Sequence, residues 1–257
     1  MKIGLCTSLD NLELTEKLGY DYIEIAVSSI ALLSDEEFNR ALAAVQKSSI
    51  PVERVNVLFP QNITLIGPNS TNPKERDEYL ERAFARVKTL GAAVAVFGSG
   101  AARRFPEGYP YREGYRELVK VTRRIGEIAG NHGITIAIEP LNLTETNCIN
   151  SLKEGAMLEA DTDNKNVGLL ADLYHMLFDN EPMDNIIMVK HLVHAHIALR
   201  EGRAFPVVAA REVGAFFEAL KKIGYSGALS VEGRTDSLEH DAASALKTLR
   251  TLAANAQ

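Results

Sequence analysis

The chain has 257 residues, 46% of them hydrophobic and 24% charged, and its 28 Lys and Arg against 34 Asp and Glu leave a formal charge of −6. That is enough apolar material for a full core without disulfides or a structural zinc, and the acidic balance gives no general attraction to phosphate backbones, so no nucleic-acid partner is expected. No apolar run approaches the ~18 residues of a membrane span, and the amino-terminal MKIGLCTSLD turns polar too soon for a signal h-region, so a cytoplasmic protein with no membrane partner is expected.

In chain order, short runs rich in Val, Ile and Ala alternate with longer stretches of helical period, with Gly or Pro at most of the joints. Residues 2–7 (KIGLCT) read as a strand and 12–19 as a helix. Strand 20–27 (YDYIEIAV) precedes helix 35–48, where Ser34 is placed to cap and Asp35, Glu36 and Glu37 favour the positive end of the helix dipole. Strand 52–59 (VERVNVLF) leads to helix 74–91, strand 92–98 (AAVAVFG) to helix 111–133, and strand 134–140 (ITIAIEP) to helix 151–160. Strand 167–173 (VGLLADL) leads to a short segment at 184–190, strand 192–198 (LVHAHIA) to helix 207–225, and strand 227–233 (GALSVEG) to helix 237–254. Gly91 and Gly224, each closing a basic last turn, suit helix ends that need a positive φ. Eight β-then-α units imply parallel strands with right-handed crossovers, and about 250 residues is the usual size of a (β/α)8 barrel. A single barrel domain over 1–257 is expected; an open doubly wound sheet is the rival, but no GxGxxG follows the first strand.

Four polar side chains close four successive strands of the second half: Glu139, Asp172, His196 and Glu232. Barrels of this kind build their sites at the carboxyl ends of the strands. Each residue alone reads equally well as an ordinary strand-end group, but four together point to a shared purpose. Three carboxylates with one imidazole suit a hard to borderline divalent cation such as Mn²⁺, Mg²⁺ or Co²⁺.

Other positions keep two readings. Glu24, on the second strand, is either a wall residue orienting a neighbour or a member of a structural ion pair. His194 shares a strand face with His196 and is either a support for the metal site or a packed core histidine. The loop 97–104 carries Arg103 and Arg104, which either meet an anionic substrate group or are solvated cations on a flexible loop. Cys6 and Cys148 lack CxxC spacing and read as buried or pocket-lining thiols.

The run Ile138-Glu139-Pro140-Leu141-Asn142, followed by Glu145-Thr146-Asn147, resembles the sugar-phosphate isomerase/epimerase superfamily, the xylose-isomerase-like TIM barrels, and within it the D-tagatose 3-epimerase-like ketose epimerases. Asp172-Leu173-Tyr174-His175-Met176 looks like the family's D-x-x-H-M, His194-Ala195-His196 its H-x-H, Arg203 with Pro206 its R-x-x-P, and Val231-Glu232 its last motif. The resemblance implies one divalent metal, Mn²⁺ first and otherwise Mg²⁺, Co²⁺ or Zn²⁺, held by Glu139, Asp172, His196 and Glu232. It also implies that Glu139 and Glu232 move a proton at the carbon next to a carbonyl, through an enediolate, on a small ketose or related hydroxy-ketone. His175, Glu145 and Arg203 would bind that substrate, with Arg200 a competitor for the last role.

Family members are usually dimers or tetramers, so a homo-oligomer is implied as well. The chain departs from the ketose-epimerase pattern in having Cys6 where an aromatic residue is usual, no tryptophan, and Val207 in place of a glycine. A dehydratase of the inosose or 3-dehydroshikimate type on the same scaffold, and a non-catalytic sugar-binding barrel, are the competing readings. An endonuclease IV-like metal cluster needs more histidines than the first half supplies, since the first 131 residues contain none.

Overall fold

In the computed structural model, which describes residues 1–255, eight parallel strands close into a barrel in sequential order, β1 pairing with β8. The strands are β1 (Lys2–Cys6), β2 (Tyr22–Ala26), β3 (Val52–Asn56), β4 (Val94–Phe97), β5 (Thr135–Ile138), β6 (Val167–Asp172), β7 (Leu192–Ile197) and β8 (Ala228–Val231). Around them run α1 (Leu12–Leu18), α2 (Val27–Ala31), α3 (Asp35–Lys47), α4 (Pro73–Leu90), α5 (Gly100–Arg103), α6 (Tyr111–Asn131), α7 (Leu152–Thr162), α8 (Leu173–Phe178), α9 (Arg211–Lys222) and α10 (Leu238–Asn255). The fold is the expected (β/α)8 TIM barrel, and all eight strands fall inside the segments read from the sequence. No helix among the described residues is long and apolar enough to cross a membrane.

Local chemistry accounts for the helix ends. Ser34 accepts from the Glu37 amide while Glu37 returns a bond to the Ser34 amide, a reciprocal cap on α3. Gly91 and Gly224 take φ +97° and +67°, as their positions after basic last turns suggested. The differences lie in the loops. β3 stops at Asn56, short of residue 59, because Val57 sits at φ +46°, which no strand tolerates. α9 begins at Arg211 rather than 207, with Ala210 extended, and the segment after α8 is a 3₁₀ turn at Met183–Met188. Three short helices, α2, α5 and α8, start directly at or just beyond strand ends: α2 and α8 take up Val27 and Leu173, which the sequence reading places in strands, and α5 lies within the loop 97–104.

Side chains alternate across each strand, so every second residue faces the barrel axis. The interior divides into two unlike halves. Val94, Val96, Ala137 and Leu170, from β4, β5 and β6, form a small apolar cluster separate from the main core between strands and helices. On the other side Tyr22, Glu24, His194, His196 and Ser230 are all fully buried and bonded to one another.

Candidate active site

The carboxyl ends of β5 to β8 deliver the four polar residues into one place. Glu139 follows β5 and leans into space beside Gly98, after β4; a Cβ on Gly98 would lie 2.1 Å from Glu139 Oε2. Asp172 ends β6 and opens α8, its Oδ1 accepting from the Tyr174 amide at 2.8 Å and its Oδ2 left free of that bond. His196 on β7 turns Nδ1 toward Glu139 Oε1 at 3.3 Å and Glu232 Oε2 at 3.2 Å. Glu232, after β8, accepts from Asn56 Nδ2 at 3.2 Å on one oxygen and from Arg203 Nη2 at 2.5 Å on the other. Glu139, Asp172, His196 and Glu232 each offer one ligand atom, all within 4.8 Å of one another.

Glu139 Oε1, Asp172 Oδ2 and His196 Nδ1 are buried without a hydrogen-bond partner. Leaving such atoms unpaired costs about 1–3 kcal/mol each, more for charged groups. Three converging orphans, two of them carboxylate oxygens, and the third carboxylate, Glu232, beside them fit a divalent cation, and Gly98 keeps the space in which Glu139 reaches it.

The two glutamates are pushed apart electrostatically. Burial raises the Glu139 carboxyl above its ordinary value, helped by the charge of Glu232 and opposed by His196. Burial acts the same way on Glu232, but His196 and Arg203 outweigh it and hold that carboxyl low. Burial also works against the His196 cation, yet Glu24 and Glu232 lift the imidazole well above its usual range.

The substrate-binding candidates ring this cluster. His175, in the first turn of α8, is buried, with Nε2 3.6 Å from Asp172 Oδ2. Its Nδ1 accepts from the Asn142 amide at 3.1 Å, so the neutral ring carries its hydrogen on Nε2, which is otherwise unpartnered. Arg203 reaches the cluster through Glu232, stacks its guanidinium 4.6 Å over Tyr174, and holds φ +53°. Of the two arginines, Arg203 is the one that contacts the cluster, whereas Arg200 bonds Asn180 at 3.1 Å. Glu145 is partly exposed and does not touch the four; Asn142 Nδ2 donates to it at 3.1 Å and Arg203 Nη1 lies 4.0 Å away. Val207 lies outside the left-handed region, so a glycine is not required there.

In the loop 97–104 Arg103 departs from both sequence readings, whereas Arg104 is exposed, as the solvated-cation reading has it. Arg103 is fully buried in α5 and donates to the carbonyls of Phe97 at 3.1 Å and Glu139 at 2.7 Å, while Arg104 donates to the Glu145 carbonyl at 2.7 Å. These backbone bonds tie the ends of β4 and β5 together, so Arg103 is neither a solvated cation nor an anion receptor. Cys148 is buried and Cys6 partly so, its Sγ 4.0 Å from His196 Nε2. Asn56, Gly98, Asn142 and Tyr174 complete the site without having been singled out. Asn56 carried the one usable signal, since it follows Arg54 at strand spacing on the inward face.

A closed barrel with three carboxylates and an imidazole converging at the carboxyl ends of its strands defines a TIM-barrel site whose residues could hold a metal ion. The chain belongs to the xylose isomerase-like TIM barrel family, whose model matches residues 12–253. It is 28% identical over 229 residues to an L-ribulose 3-epimerase of Methylomonas sp. (strain DH-1), covering 84% of this chain and 74% of the relative. It is also 28% identical over 235 residues to a 3-dehydro-D-guloside 4-epimerase of Escherichia coli (strain K12), covering 88% and 87%. A crystal structure of D-psicose 3-epimerase in the presence of D-fructose superimposes with a TM-score of 0.87 at 21% identity, over 98% of this chain and 99% of that one.

Proposed function

We propose that this chain is a divalent-metal-dependent epimerase or isomerase of a small ketose or related hydroxy-ketone, acting by proton transfer at the carbon next to the carbonyl. The observation that carries the reading is the convergence of Glu139, Asp172, His196 and Glu232 with three orphaned donor atoms. The two curated relatives support the reaction class: a 3-epimerase of a ketose and a 4-epimerase of a 3-dehydro sugar both invert a carbon adjacent to a ketone.

Glu139, Asp172, His196 and Glu232 would hold the ion, Mn²⁺ by preference, with Mg²⁺, Co²⁺ or Zn²⁺ as substitutes. Bound there, it supplies Lewis-acid stabilisation of negative charge on neighbouring substrate oxygens. The remaining work falls to the chain. Glu139 and Glu232 stand at β5 and β8 with β6 and β7 between them, so a substrate lying over the cluster presents one face to each carboxylate. One takes the proton and the other returns it on the opposite face, which inverts the centre. Return to the neighbouring carbon gives aldose–ketose isomerisation instead. His175 donates its Nε2 hydrogen to a substrate oxygen, and Arg203 fixes Glu232 so that one carboxylate oxygen stays aimed at the reacting carbon. Glu145 lies further out and meets a distal hydroxyl.

The test is proton–deuterium exchange in D₂O followed by NMR, over a panel of ketoses, phosphorylated ketoses and inososes, with Mn²⁺ against a chelated control. Metal-dependent exchange at a carbon next to the carbonyl is expected. Exchange on no member of the panel, by a protein that binds Mn²⁺, would overturn the proposal, and an absorbing enone product would turn it to the dehydratase.

A further inference from the structure

Glu24 lies in the barrel interior beneath the mouth, fully buried, with its partners on β7 and β8. Its Oε1 is 2.9 Å from His196 Nε2, and its Oε2 is 2.8 Å from His194 Nε2 and accepts from Ser230 Oγ at 2.5 Å. Tyr22 Oη meets the same serine at 2.6 Å, and His194 Nδ1 meets the Ala228 carbonyl at 3.1 Å. No arginine or lysine pairs with Glu24; imidazole and hydroxyl groups alone satisfy it.

An ionised carboxylate in a dry interior is expensive unless fully bonded. This one touches nothing in the candidate metal cluster except the back of one ring. A carboxylate accepts only, so the bond from His196 must be an Nε2 hydrogen, and the lone pair of the neutral ring then lies on Nδ1. That nitrogen has no partner and faces Glu139 and Glu232.

We propose that Glu24 is a positioning residue. By accepting the Nε2 hydrogen of His196 it fixes the tautomer and the ring orientation that aim an Nδ1 lone pair at the cluster, and the His194, Ser230 and Tyr22 groups hold Glu24 for that task. The proposal rests on reading His196 as a metal ligand. It assigns no contact between Glu24 and substrate or ion. A glutamine of the same size accepts weakly on one atom only and presents an amide donor on the other, so the preference for Nε2–H is lost.

The experiment is a Mn²⁺ titration by calorimetry of the full chain and of E24Q, H196Q and the double variant, each checked for folding by circular dichroism. E24Q is expected to weaken Mn²⁺ binding about 10–100-fold, the range seen when partners behind a liganding histidine are removed. The effect of E24Q should vanish in the H196Q background, because Glu24 acts only through that ring; a merely structural role would give the same loss in both backgrounds. As a measurement independent of any variant's folding, ¹⁵N-histidine spectra of the metal-free wild type, taken at a pH high enough to deprotonate the imidazolium, should show the neutral His196 ring protonated on Nε2. Wild-type affinity in a folded E24Q, equal losses in both backgrounds, or an Nδ1-protonated neutral ring would each overturn the proposal. None of these readouts uses a substrate. A protein that binds Mn²⁺ with the predicted coupling yet exchanges no substrate proton would sink the epimerase reading and leave Glu24's role standing.

Discussion

Replacing Gly98 by alanine perturbs one carboxylate with one methyl group. The added Cβ would lie 2.1 Å from Glu139 Oε2, 3.3 Å from Glu139 Cδ and 3.6 Å from Leu141 Cδ2. Carbon and oxygen in ordinary contact stay about 3.3 Å apart or more, on the scale of weak C–H···O contacts, so the carboxylate must retreat by roughly 1 Å. Gly98 is absent from the positive-φ glycines, and the obstructing atom is the end of a flexible side chain, so the backbone accepts alanine. The strain therefore falls on the placement of Glu139 and not on the fold. Metal–ligand distances tolerate about 0.2 Å, and a misplacement near 1 Å costs on the order of 10²-fold in rate, equivalent to about 2.7 kcal/mol. G98A should thus keep its melting temperature in chelator to within a few degrees while Mn²⁺ affinity and turnover fall together by about two orders of magnitude. Calorimetric metal titration and deuterium exchange on the best substrate read both quantities. If G98A retained both within a factor of about three, the reasoning that Gly98 exists to seat Glu139 would be wrong.

E232Q can keep its oxygen toward Arg203, with Asn56 flipping so that its carbonyl oxygen accepts from the new amide in place of the Nδ2 donation, so Mn²⁺ binding should survive in part while turnover drops by about 10²–10⁴-fold, the scale of general acid–base catalysis; a variant with undiminished turnover would remove Glu232 from proton transfer. For His175, glutamine preserves a donor near Nε2 and alanine does not, so H175Q should retain clearly more kcat/KM than H175A, and equal losses would deny the hydrogen-bond role. In the metal-free protein Glu24 and Glu232, against the effect of burial, hold the His196 pKa well above its usual value. A proton on Nδ1 competes with the metal, so Mn²⁺ affinity should rise with pH up to that raised pKa and level off above it. Calorimetry across pH checks the sign, and an affinity that falls as pH rises would contradict it.

The barrel was legible because strand alternation and loop punctuation are local properties. Glu139, Asp172, His196 and Glu232 stood out because ionisable groups are conspicuous at the ends of apolar runs. Glu24 was visible as an anomaly inside YIEIA, but its partners on β7 and β8 lie 170 or more residues away, and no periodicity connects them. The same limit hid Gly98, whose meaning depends on Glu139 across the neighbouring strand. Arg103 misled because a Gly- and Ala-rich loop normally carries its cations to water; here α5 turns the guanidinium onto two strand-end carbonyls. Val57, Ser99 and Arg203, with φ values of +46°, +28° and +53°, cut strands and loops where side-chain identity gave no warning. Each neighbours a residue that touches or shapes the cluster: Asn56, Gly98 and Glu232. Backbone strain gathered in this way is common around functional sites.

The two unlike halves of the barrel interior imply a lopsided tolerance to mutation. Val94, Val96, Ala137 and Leu170 are apolar and interchangeable in kind, so the wall formed by β4, β5 and β6 can drift one residue at a time as long as volume is kept. On the facing side, Tyr22, Glu24, His194, His196 and Ser230 each satisfy a neighbour's hydrogen bond, so changing one strands another in a dry environment. Libraries built to redirect this barrel toward new substrates should therefore treat those five positions as a single inherited block and spend their diversity on Val94, Val96, Ala137 and Leu170.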